Sequence, residues 1–173
     1  MDTLKNKTLL ITGGTGSFGS KLTEHILKKK IPVKKIVIFS RDENKQHQMK
    51  LAINNSKIQF VIGDIRDKTT LRNSFAGVDY IFHAAALKHV PSCEFFPMEA
   101  IKTNVLGTEN VLNVAHELKV KKVLLLSTDK ACKPLNVMGC TKMLMEKIML
   151  SKIKNKDSKT VISCVRYGNV LFS

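Results

Sequence analysis

Thr12-Gly13-Gly14-Thr15-Gly16-Ser17-Phe18-Gly19 decides the fold of this chain. An apolar run, 8–12, leads into it, and a segment of helical period, 17–30, leads out with Phe18, Leu22, Ile26 and Leu27 on one face. Strand, glycine turn and helix in that order form a phosphate-binding unit. Gly13 permits the tight turn, Gly16 lets backbone N–H groups approach a pyrophosphate, and Gly19 lets the helix pack close. The helix start adds unpaired donors and the positive end of its dipole, within reach of Thr15, Ser17 and Phe18.

Outward from the turn, strand and helix alternate. Strands are expected at 36–40, 58–62, 80–85, 123–127 and 161–167. Helices are expected at 42–54, 69–75, 98–118 and 138–152. The strands are continuous apolar runs, as when helices cover both faces of a sheet. This predicts an α/β fold, a Rossmann doubly wound parallel sheet with helices on both faces. The whole of 1–173 reads as one NAD(P)-binding domain. The sixth strand lies so near residue 173 that no second, substrate-binding domain is expected.

The end of the second strand selects the cofactor. An acidic residue there binds a ribose 2′-hydroxyl and a basic one accepts a 2′-phosphate. The strand ends Phe39-Ser40-Arg41-Asp42. Ser40 and Arg41 favour NADP, while Asp42 keeps NAD as the alternative.

Composition narrows the partners. Among 173 residues, 43% are apolar, which suits a globular domain. No apolar run reaches the roughly 18 residues of a membrane span. The N-terminus has no charged-then-apolar leader, so a cytoplasmic protein is expected. The net charge is +15, yet the lysines are dispersed over helix ends and loops, and tryptophan is absent. That pattern argues against nucleic acid and suits anionic dinucleotides and nucleotide sugars. Cys93, Cys132, Cys140 and Cys164 form no C-x-x-C pair, so no metal site is expected.

Further motifs fall in order: Gly63-Asp64-Ile65-Arg66-Asp67, His83-Ala84-Ala85-Ala86, Ser127-Thr128-Asp129-Lys130 and Tyr167-Gly168-Asn169-Val170. With the glycine turn, they make the chain resemble the extended short-chain dehydrogenase/reductases. Ala84 to Pro91 and Thr128-Asp129-Lys130 resemble one branch. It holds the inverting UDP-N-acetylglucosamine 4,6-dehydratases and related polysaccharide-biosynthesis proteins, many of them labelled UDP-glucose 4-epimerase. The resemblance covers the whole chain but only the first half of a family member.

The resemblance implies site roles. Asp64 and Ile65 would contact the adenine, and Ala84, Ala85 and Ala86 would line the cofactor. Asn104 would help organise the site. Tyr167, Gly168 and Asn169 would lie beside the nicotinamide and the sugar, and Lys88 would face the substrate. Thr128 would bond the sugar C4 oxygen, and Lys142 the nicotinamide ribose.

Most members of this superfamily carry Tyr-x-x-x-Lys, whose phenolate takes a proton while hydride leaves. Here the motif reads Met138-Gly139-Cys140-Thr141-Lys142, and a thioether cannot serve as base. The resemblance relocates the chemistry to Asp129, protonated, and Lys130, neutral, as a dehydration pair acting on a UDP-sugar. The competing readings are a simple UDP-sugar 4-epimerase and a catalytically silent NAD(P)-binding module. Weak cofactor binding and slow turnover are expected of the chain alone. The helices 98–118 and 138–152, with Met143, Leu144 and Met149, would supply a homo-oligomer seam.

Overall fold

The computed structural model describes residues 2–154 and 159–169. Six strands form one sheet in the order β3-β2-β1-β4-β5-β6: β1 Thr8–Thr12, β2 Lys35–Ser40, β3 Ile58–Ile62, β4 Tyr80–His83, β5 Lys122–Thr128 and β6 Val161–Tyr167. All five pairings are parallel. This is the expected Rossmann architecture. The strand order reverses between β1 and β4, and at that switch point the carboxyl edge opens a ligand crevice.

The helices are α1 Ser17–Lys28, α2 Glu43–Ile53, α3 Lys68–Phe75, α4 Val90–Phe95, α5 Pro97–Ala100, α6 Thr108–Glu117 and α7 Val137–Ile153. One face of the sheet presents Leu10, Val37, Phe39, Ile81, Val123 and Leu125 to a core that includes Leu71 and Phe75 of α3, Val111 and Leu112 of α6, and Met145 of α7. The other face presents Leu9, Ile11, Ile36 and Ile38 to Ile26 of α1 and Met49 of α2. Alternate residues of each strand point to opposite faces, so both rows must be apolar.

Three expectations need correction. The stretch 98–118 is not one regular α-helix. Between α5 and α6, Ile101–Gly107 forms a π-helical turn. Residues 90–95 form α4, opened by Pro91 within its first turn; six residues are too few to show a periodic stripe. Strand β4 ends at His83 rather than 85, because the Leu87 backbone pairs with the Asn104 side chain instead of a neighbouring strand. No helix among the described residues is long and apolar enough to cross a membrane.

Candidate dinucleotide and sugar site

Gly13 has φ +64°, and a Cβ there would stand 2.8 Å from the Ala85 nitrogen and 2.9 Å from the Ala84 carbonyl carbon. The turn therefore packs directly on the backbone after β4. Gly14 is as constrained: a Cβ would meet Ile38 Cγ2 of β2 at 2.8 Å. Gly19 abuts the Gly14 backbone, its Cβ position lying 2.5 Å from Gly14 Cα. Gly16 differs. It is exposed, and a Cβ would meet only Gly13 O, at 3.2 Å.

Helix α1 starts at Ser17 with Gly16 as its N-cap and with no side chain bonded to its first-turn N–H groups. Helices α2, α3 and α7 are each capped, by Asp42 on Lys45 N, Asp67 on Thr69 N and Asn136 on Gly139 N. An exposed, uncapped helix start behind an exposed glycine whose Cβ would crowd only a neighbouring turn carbonyl fits a pyrophosphate.

A buried chain of hydrogen bonds fixes this turn. His83 is 2% exposed. Its Nε2 lies 2.9 Å from Thr108 Oγ1, which donates to the Asn104 carbonyl at 2.8 Å. Thr108 is thereby the acceptor toward His83, so the ring proton sits on Nε2. Nδ1 then accepts from Thr12 Oγ1 at 2.7 Å, and Thr12 Oγ1 accepts from Ala85 N at 3.3 Å. Burial, reinforced by the Lys142 charge, lowers the His83 pKa to about 3, so the ring is neutral.

Both Nδ2 hydrogens of Asn104 are used: Oδ1 accepts from Leu87 N at 2.8 Å, and Nδ2 donates to Leu87 O at 2.9 Å and Thr141 Oγ1 at 3.0 Å. Asn104, 1% exposed, thus ties the loop after β4 to α7.

At the second strand, Ser40 Oγ accepts from Thr15 Oγ1 at 3.2 Å and from Gln46 Nε2 at 3.0 Å. The Arg41 side chain is half exposed, with Nη1 3.6 Å from Asp64. Asp42 is occupied, capping α2 and pairing with Lys45 at 3.3 Å. Asp64 accepts from Arg66 N at 2.9 Å and from Arg66 Nη2 at 2.7 Å. Partial burial opposes its ionisation, but the Arg66 bonds prevail and hold its pKa below the usual range. Ile65 is 4% exposed and would stand 2.7 Å from a Cβ on Gly107. Its side chain is core, which leaves its backbone as the part that can face an adenine.

The other half of the carboxyl edge is more open. Thr128 Oγ1 donates to Asp129 Oδ1 at 2.9 Å. Lys130 Nζ lies 3.3 Å from the same oxygen and 3.0 Å from Asn169 Oδ1. The Thr128 bond, helped by Lys130, holds the Asp129 carboxyl below its usual range. In the free chain the Asp129 carboxylate is thus paired with Thr128 and Lys130. Tyr167 and Phe18 rings lie 6.3 Å apart, joining the start of α1 to the end of β6. Lys88 is exposed on the loop after β4, while Ala84, Ala85 and Ala86 are half-buried there; Gly168 is exposed, and Val170 lies outside the described residues.

Two candidate site residues of α7, Lys142 and Met138, are buried. Lys142 is not a surface lysine. It is 8% exposed, donates to Leu126 O at 2.8 Å, and burial lowers its pKa to about 8. Met138 packs with Cys93 and Ala100 in a small satellite core, so the usual Tyr position holds a packing residue. Met149 is likewise core rather than seam surface, whereas Leu106, Leu144 and Leu150 are exposed.

The sequence reading assigned no role to Thr12, His83, Gln46 or Gly14. Thr12 and His83 were findable, since each ends its strand and β1 and β4 pair with them opposite. Gln46 carries no such signal.

The sequence model of the family described as "Polysaccharide biosynthesis protein" matches residues 9–173. The chain is 56% identical over 171 residues to a UDP-glucose 4-epimerase of Rickettsia prowazekii (strain Madrid E), covering 97% of this chain and 50% of the relative. A UDP-glucose 4-epimerase of Rickettsia bellii (strain RML369-C) is 57% identical with the same coverage. The chain thus spans about half the length of these relatives. Among solved structures, the X-ray structure of Pen from Bacillus thuringiensis superposes with TM-score 0.93 at 38% identity, over 98% of this chain and 52% of that one. DesIV, a dTDP-glucose 4,6-dehydratase from Streptomyces venezuelae solved with NAD and TYD bound, gives TM-score 0.82 over 91% of this chain and 55% of that one. Its 24% identity speaks for the fold alone.

Proposed function

The chain belongs to the polysaccharide biosynthesis protein family, and on that premise we propose that 1–173 is the dinucleotide-binding domain of a nucleotide-sugar enzyme that uses NADP and acts on a UDP-sugar. The reaction we favour is 4,6-dehydration with C5 epimerisation of UDP-N-acetylglucosamine. One observation carries it: Thr128, Asp129 and Lys130 meet in a hydrogen-bonded cluster at the open carboxyl edge, while Met138 is packed away from any proton transfer.

Bound NADP supplies the hydride acceptor and returns the hydride. Gly13, Gly16 and the uncapped start of α1 hold the pyrophosphate, and Ser40 and Arg41 hold the 2′-phosphate. The Thr128 hydroxyl, which in the free chain donates to Asp129, takes the C4 hydroxyl proton as hydride leaves C4 and passes its own proton to Asp129, which is thereby protonated as the acid for the next step. Lys130 takes the C5 proton made acidic by oxidation at C4 and supplies a proton back at C5 once hydride has returned to C6. Asp129 protonates the departing C6 hydroxyl, which leaves as water. Lys142, buried beneath the end of β5, steadies the nicotinamide ribose.

The named relatives favour a second reading, a 4-epimerase, which needs only reversible oxidation at C4. Incubation with UDP-N-acetylglucosamine and NADP, followed by mass spectrometry, separates the two. Loss of one water supports dehydration. An isomer of unchanged mass supports epimerisation, and no change supports a domain that only binds dinucleotide.

A further inference from the structure

Gln46 lies on α2 and is 5% exposed. Its Nε2 faces three oxygens: Val61 O at 2.8 Å, Ser40 Oγ at 3.0 Å and Ser40 O at 3.1 Å. Two of these are carbonyls, which can only accept, so the amide must present N–H groups on this side. Ser40 Oγ is therefore an acceptor toward Gln46. Thr15 Oγ1 donates to the same oxygen from the glycine turn. A hydroxyl has two acceptor positions and one proton. The two Nε2 hydrogens are shared among three oxygens and the Thr15–Ser40 hydroxyl pair can run either way; when Thr15 donates, both acceptor positions of Ser40 are filled and its proton is left for a third partner.

We propose that Gln46 is a specificity-positioning residue: it fixes Ser40 as a hydrogen-bond donor and so favours a dinucleotide bearing a 2′-phosphate. The proposal rests on the NADP reading above. A 2′-phosphate near neutral pH is an anionic acceptor and gains a charge-assisted bond from a fixed donor. A ribose 2′-hydroxyl is neutral and gains less. Arg41 supplies the charge at this site and Gln46 supplies the orientation, from a buried helix position without touching the ligand.

The test is fluorescence titration of the folded chain with NADPH and NADH, on wild type, Gln46→Met, Ser40→Ala and the double variant, with circular dichroism confirming fold. Losing a fixed charge-assisted donor predicts NADPH binding about 5- to 10-fold weaker in each single variant. NADH binding stays within about 2-fold, and the double variant is no worse than Ser40→Ala, as expected when two residues act through one bond. Equal weakening of both dinucleotides by Gln46→Met would show a merely structural glutamine and overturn the proposal. So would unchanged binding, or additive effects in the double variant. If Gln46→Met does not fold, Ser40→Ala decides, and an unchanged NADPH/NADH ratio overturns the proposal. Arg41→Ala separates the two levels. A wild type without NADPH preference, unaltered by Arg41→Ala, removes the NADP reading and this one with it. An effect of Arg41→Ala without one of Gln46→Met removes only this one.

Discussion

The two halves of the sheet's carboxyl edge are built on different terms. On the β1–β2–β3 side, Thr12, Ser40 and Gln46 are buried and hydrogen-bonded before any ligand arrives. On the β5–β6 side, Asp129 and Asn169 are exposed and bond mainly to Thr128 and Lys130. The first half is a pre-organised cradle in which no side chain caps the first-turn N–H groups of α1. The second is a set of reactive side chains engaged with one another until a substrate competes for them. On the proposed function, binding and chemistry separate by side of the sheet, and His83 and Asn104 brace the seam between the two halves.

That contrast can be broken from either side. Lys130→Met should lower dehydration of UDP-N-acetylglucosamine about 10³-fold, the worth of a positioned acid or base, and leave NADPH affinity within about 2-fold. A matching loss of NADPH affinity would merge the two halves. Gly13→Ala places a methyl against the Ala84–Ala85 backbone at a positive φ, so NADPH binding should weaken by about 100-fold in titration. Arg41→Ala should cost about 10-fold in NADPH affinity and spare NADH, consistent with a single exposed charge-assisted contact.

The smallest expected effect lies at the seam. The His83 pKa falls from 6.5 to about 3 on folding. Above 6.5 both states are neutral and the residue's contribution to stability is complete. As pH falls from 6.5 toward 3, the unfolded chain takes up a proton that the folded chain refuses, and stability is lost. Between pH 6.5 and 4.5 the loss is roughly 2–3 kcal/mol. His83→Gln should flatten that slope, measured as urea midpoints at the two pH values.

Much of this was legible in the sequence, for identifiable reasons. The turn 12–19 is local, and so are the apolar runs of β1 to β6; period and glycine spacing report local geometry well. The π turn at Ile101–Gly107 was hidden because Ile101 and Val105 satisfy an α-helical stripe either way. The Lys142 burial was hidden because the carbonyl it reaches, Leu126 O, belongs to a strand 16 residues earlier. The Thr12–His83 bond spans 71 residues and exists only once β1 lies beside β4. The pairing of Asp129 in the free chain was hidden for a related reason. The resemblance supplied its role during reaction, whereas the free chain shows the ion pair that precedes it.

The most direct measurement is calorimetric titration of the purified chain with NADP⁺ and with NAD⁺. A complete cradle with a 2′-phosphate subsite predicts one site per chain and NADP⁺ binding about 10-fold or more tighter than NAD⁺. Equal affinities, or heat from neither dinucleotide, would contradict it.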